Sequence, residues 1–142
     1  MLLDRTIQED EMPTTATRKP TRRAANKTAM REAVAALNAG NHEDYLALFA
    51  PDATLHGFPA GIVEVEDLIR FHAATAETYP DASVSLDDAI SEADRVATRF
   101  TWRASQGPGW ALEARGGAIV RFADGQITEC WNLPTELHVT AS

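Results

Sequence analysis

Three features of this 142-residue sequence predict an α+β fold. Apolar residues recur at helical spacing in the first half, strands separated by turn residues fill the second, and an Asp-Gly hairpin stands near the C-terminus. With 44% hydrophobic content the chain can bury about two-thirds of the surface its unfolded form would expose, which suits one domain and leaves no room for a second.

Residues 1–25 read as an extended or flexible arm, 26–135 as the folded domain and 136–142 as a C-terminal tail. The arm mixes Thr, Pro and charge, with Pro13 and Pro20 as breaks. Met30, Ala33, Val34 and Leu37 then form a helical stripe, which Asn38-Ala39-Gly40-Asn41 stops. A short second helix spans His42 to Phe49, with Tyr45, Leu48 and Phe49 on its apolar side and Ala50-Pro51-Asp52 as its end. Thr54-Leu55-His56-Gly57 reads as a short strand, and Phe58 to Gly61 as a loop. The third helix runs from about Val65 to Thr78 and turns Val65, Leu68, Ile69, His72 and Ala76 inward, before Tyr79-Pro80-Asp81 closes it. Strands follow over Ser83 to Ile90, Arg95 to Arg103, Trp110 to Phe122 and Gln126 to Leu133.

The net charge of -8 is unevenly spread: residues 1–31 carry seven basic and four acidic side chains, and the remainder six and seventeen. Arg18, Lys19, Arg22, Arg23, Lys27 and Arg31 follow one another without an intervening acid. The acidic body would repel phosphate and no aromatic residue interleaves the basic run, so nucleic-acid binding is not expected. No apolar run approaches the ~20 residues that span a bilayer, and the N-terminus lacks a secretory pattern; a soluble, cytoplasmic protein with no membrane partner is expected. Cys130 is the only cysteine, which excludes an intrachain disulfide, and no Cys/His spacing suits a metal. It reads as a small buried hydrophobe rather than a nucleophile.

The hairpin Arg121-Phe122-Ala123-Asp124-Gly125-Gln126-Ile127-Thr128-Glu129-Cys130-Trp131-Asn132 is physical first: Asp-Gly can take the positive dihedrals of a tight turn, and β-branched and aromatic residues flank it. With Ala118, Ile119 and Val120 ahead of it, it resembles the closing hairpin of the SnoaL-like polyketide cyclases, of the nuclear transport factor 2-like and ketosteroid isomerase-like superfold. The helix, Gly-Asn, short helix, Pro-Asp-Ala opening and the Tyr79-Pro80-Asp81 helix end resemble the same family, so the likeness covers about residues 27–133. It implies a cone: a curved, mostly antiparallel sheet wrapped around about three N-terminal helices, with one open mouth, no cofactor, and pairing into a homodimer through the sheet's outer face. Gly116-Gly117 is placed for the bulge that bends the sheet. Arg121, Phe122, Asp124, Gly125, Ile127, Glu129 and Trp131 match the family pattern. Ala118 stands where family cyclases carry an acid, Cys130 where they have His, and Asn132 where related epoxide hydrolases carry Asp.

Strand alternation puts Ala118, Val120 and Phe122 on one face and Thr128, Cys130 and Asn132 on one face of the next strand, and the resemblance turns both toward the pocket. Asn132 can orient a carbonyl or hydroxyl, or serve nearby backbone. His72, on the apolar side of its helix, and His56, on the short strand, are candidate general acids or bases, or packed histidines. Asp88 alternates in phase with Val84, Leu86 and Ile90 and so falls on the apolar face, as a third candidate acid or as a cross-strand partner of Arg99 or Arg103. Tyr45, Phe49, Trp102 and Gln106 are candidate lining residues, Gln106 standing in a loop shorter than the family's.

The function these residues suggest is a cofactor-independent cyclase or isomerase acting on a polyketide-like intermediate in an apolar pocket. Loss of the family's acids favours pericyclic or cycloaddition-type closure, which needs a shaped pocket more than a proton donor. A non-catalytic binding module and an epoxide hydrolase or epoxide-opening cyclase are the alternatives.

Overall fold

The computed structural model of this chain describes residues 21–105 and 107–141. Helix α1 (Arg22–Asn38) begins inside the span read as arm, because the Thr21 side chain accepts a hydrogen bond from the Ala24 amide at 3.1 Å and caps the helix there. Gly40, at φ 72°, turns the chain out of it. Asn41 caps α2 (His42–Ala47) through the Asp44 amide. This helix stops short of Phe49, which opens β1 (Phe49–His56) instead. A short apolar run fits either period, and pairing decides: Phe49 lies beside Ile127, whose amide donates to Leu48 O at 2.8 Å. Helix α3 (Val65–Thr78) starts at a capping box between Glu64 and Asp67.

The remaining strands are β2 (Ser83–Glu92), β3 (Arg95–Ser105), β4 (Trp110–Ala123) and β5 (Gln126–Ala141). The strand β5 continues through 136–141, paired with β4 as far as Trp110 and Ala141, where a tail was expected. Asp124 and Gly125, at φ 52° and 79°, form the tight turn between them. The order β1-β5-β4-β3-β2 is antiparallel except for the parallel β1–β5 pair.

All three helices pack on one face. Ala33 of α1, Tyr45 of α2 and Val65 and Leu68 of α3 share a buried cluster with Phe49, Val96, Val120, Phe122, Ile127 and Cys130 of the sheet. Three irregularities bend the wall they pack against. Asp87 is an extra residue in β2, Thr128 an extra residue in β5, and Pro134-Thr135 stand opposite Gly116 alone. The glycines expected to form the last bulge thus face it. Gly117 must be glycine, since a Cβ would lie 2.5 Å from the backbone Thr98 O; at Gly116 it would lie 2.8 Å from Thr135 Oγ1, which would have to turn away.

Candidate functional site

The inner wall follows from register. Thr98, Ala118 and Asn132 lie in one row across β3, β4 and β5, and Ser91, Val96, Val120, Cys130 and Leu55 in the next. Ala118, Val120, Phe122, Cys130 and Asn132 therefore share the helix-covered face. The bulge at Thr128 brings Ile127, 2% exposed, rather than Thr128 into that face. Thr98 satisfies its hydroxyl on Ala118 O at 2.9 Å. Asn132 donates to Gly57 O at 3.2 Å and ties down the turn that follows β1.

The helices bring Tyr45 and His72 to this wall. Their rings meet edge to face with centroids 5.2 Å apart, and Tyr45 packs on Phe49 at 5.3 Å. Burial lowers the His72 pKa to about 4, with the neighbouring His42 adding to the effect. Burial also raises the Tyr45 phenol well above its ordinary range, helped by the nearby Cys130. Cys130 itself is pushed up to about 12 by burial. All three groups are neutral at pH 7. Trp102 is half-buried on the same face and meets Tyr79 edge to face at 5.3 Å, an aromatic pair of which sequence pattern showed only one member as a lining residue.

Two of the sequence's candidate acids and bases fall elsewhere. The extra residue Asp87 reverses the alternation beyond it, so Asp88 and Ile90 lie on the outer face, not with Val84 and Leu86. There Asp88 accepts two hydrogen bonds from Arg99, at 2.7 and 2.9 Å, in an exposed ion pair. His56 is opposite Trp131 on the outer face too, with its Nε2 2.8 Å from Glu129 Oε2. Gln106 lies outside the described residues.

Two surface hollows stand out, and neither opens on the inner wall. One, of about 480 Å³, lies between α1 and α2 beside Ala35, Ala36, Asp44 and Leu48; the other, of about 610 Å³, adjoins Thr21, Arg22, Arg23, Ala93 and Asp94. Among the described residues no group of His, Cys, Asp and Glu is placed to hold a metal, and no helix is long and apolar enough to cross a membrane.

A curved sheet closed on one side by three helices, with an apolar wall and a Tyr-His pair above it, is the cone of the nuclear transport factor 2-like fold. Residues 30–130 match the SnoaL-like domain, and the chain belongs to that family. Solved structures of the same fold include AclR from Streptomyces galilaeus, a proposed hydroxylase, at 23% identity and TM-score 0.69 over 82% of this chain and 90% of that one. IdmH from Streptomyces antibioticus, a proposed polyketide cyclase, is 24% identical with a TM-score of 0.68 over 79% and 91%. TsrD from Streptomyces laurentii is 25% identical with a TM-score of 0.67 over 81% and 89%. No curated protein matches the chain.

Proposed function

We propose that this chain is a cofactor-independent cyclase or isomerase that holds a largely apolar, polyketide-like intermediate on the inner wall of the cone. Membership of the SnoaL-like family and the polyketide cyclase named among its structural relatives support the class. One observation carries the subtype: Ala118 and Asn132 stand on the wall where the family and its relatives carry acids, and the extra residue Asp87 puts Asp88 on the outer face. Aldol closure requires an acid placed to protonate a developing oxyanion. Pericyclic closure requires a folded conformer held in reactive geometry, with hydrogen bonds to bias it, and exchanges no proton. Ala118, Val120 and Phe49 would shape the ligand, Tyr45 and Asn132 would orient it, and Trp102 would flank the mouth.

The test is incubation of the purified protein with linear polyene ketones in heavy water. Pericyclic closure gives a product of unchanged mass, a new retention time and no carbon-bound deuterium. Deuterium in the product would replace this subtype with an acid–base isomerase or aldol cyclase. A parallel incubation with the corresponding epoxide tests the third reading: a product heavier by one water would indicate epoxide hydrolysis, which the absence of an acid at Asn132 disfavours. The same inert interior also suits a binding module, for which the ligand would be recovered unchanged. We also propose that two copies pair through the sheet face opposite the described helices, where Ile90, 69% exposed, lies in the same cross-strand row as Trp131, and Leu133, 39% exposed, two residues along β5.

A further inference from the structure

Buried polar atoms without a hydrogen-bond partner are few in folded proteins and call for a cause. Among the described residues they are Asn26 Nδ2, Ser91 Oγ and Arg121 Nε. The three gather at one end of the molecule, around the turn that joins β2 to β3. Arg121 Nε lies 3.5 Å from Asp94 Oδ2, and the same guanidinium reaches Glu129, so its charge is answered. Asn26 and Ser91 are not answered in this way.

Their placement follows from how α1 lies on β2. Asn38 grips Val84 at one end, accepting from its amide at 2.7 Å and donating to its carbonyl at 2.8 Å. From there the helix returns along the strand: the twelve residues back to Asn26 span about 18 Å, and the seven from Val84 to Ser91 about 23 Å. Both residues therefore lie toward the β2–β3 turn. The hollow beside Thr21, Arg22, Arg23, Ala93 and Asp94 confirms that the start of α1 adjoins that turn. Asn26 is one helical turn from those arginines and 5% exposed; Ser91 is opposite Val96 on the inner wall, where Val96 is wholly buried.

We propose that Asn26 and Ser91 form an oxygen-anchoring site at the narrow end of the cone, donating hydrogen bonds to a carbonyl or hydroxyl oxygen of a bound apolar ligand. The proposal rests on the reading of the cone as a ligand pocket. The Asn26 amide nitrogen only donates and the Ser91 hydroxyl can donate, so their complement is an acceptor oxygen. Around them the wall is apolar, and a buried donor left bare keeps the desolvation cost that a hydrogen bond would offset. A ligand that brings an oxygen to this point is favoured over one of equal shape that does not. The pair would add orienting hydrogen bonds to those of Tyr45 and Asn132.

The experiment compares 2-naphthol with naphthalene, two probes of similar shape that differ by one oxygen. Affinities come from tryptophan fluorescence, and the Asn26 side-chain amide is followed by ¹⁵N resonance in the unmodified protein. Preference for 2-naphthol of about tenfold or more is expected, with a shift of the Asn26 amide on titration. Ser91→Ala and Asn26→Leu should each reduce the preference, and the double variant should remove it while naphthalene affinity stays within about twofold. If 2-naphthol binds with the Asn26 amide unmoved and the preference intact in the variants, the atoms hold a buried water and the anchoring site is refuted, with the pocket reading left standing. If neither probe binds, the pocket reading falls and the anchor with it. Because the amide shift is read in the unmodified chain, poor folding of Asn26→Leu does not blunt the test.

Discussion

His56 lies flat on Trp131, ring centroids 5.2 Å apart and planes inclined by 12°, on the face of the sheet opposite the three described helices. Arg95 and Arg121 approach the same indole at 5.4 and 5.7 Å, and Glu129 joins His56 to Arg121. A histidine read from the sequence as a candidate general acid or base is thus part of an aromatic and charged platform on the outer face. The proposed pairing would place a second copy on this platform, with Leu133 exposed two residues along β5. Trp131→Ala should convert a dimer to monomer in sedimentation velocity, and His56→Ala should leave turnover unchanged. A wild-type protein that sediments as a monomer at all concentrations would refute the pairing.

Asp88 and Arg99 make an exposed pair, with side chains 58% and 62% accessible. Solvent screens such a pair, and holding two long side chains together costs entropy. Asp88→Asn is therefore expected to leave both turnover and the urea midpoint where they were. A large loss of turnover with an unchanged midpoint would return Asp88 to the chemistry.

His72 makes stability depend on pH. Its folded pKa, about 4, lies below the ordinary value of 6.5, so the unfolded chain binds the proton more readily. The contribution is complete above pH 6.5 and is lost as pH falls from 6.5 through 4, a change of at most about 3 kcal/mol. Urea titrations at pH 7 and pH 4.5 should show this loss, and His72→Phe should remove that part of it. Between pH 6 and 9 the rate of cyclisation should be flat; a limb near neutrality abolished by the same variant would show that His72 titrates in the reaction.

Gly117 is closed to any side chain, since its Cβ would sit 2.5 Å from Thr98 O. Gly117→Ala must push β3 from β4 at the bend and is expected to destabilise by about 1–3 kcal/mol. Thermal unfolding measures this, and Gly125→Ala, whose Cβ meets nothing within 4 Å, separates steric crowding from the strain of a positive φ.

Cys130 is 5% exposed and pushed up to about 12. Labelling by a thiol reagent at pH 8 should proceed in urea and be slow in the native protein. Rapid native labelling would mean that the inner wall opens to solvent.

Much of this protein follows from local rules acting on the sequence alone. The caps at Thr21 and Asn41, the capping box at Glu64 and Asp67, the Asp124-Gly125 turn and the stripe Val65, Leu68, Ile69 and His72 each depend on neighbours a few residues away, so helices, turns and the wall positions Ala118, Val120, Cys130 and Asn132 were legible. What tertiary structure decided is which face a strand residue shows once the count is broken. Side chains alternate with a period of two, so one extra residue at Asp87 moved Asp88 outward, and another at Thr128 brought Ile127 inward. The parallel pairing of β1 put Leu55 inside and His56 outside, and drew Phe49 from helix into strand. Ser91 fell between two predicted strands and Asn26 at the first residue of the predicted domain, with nothing local to mark either as buried, because their burial comes from α1 lying along β2. Bulges, registers and such packing are set by the fit of distant segments to one another, and no spacing within a single segment encodes that fit.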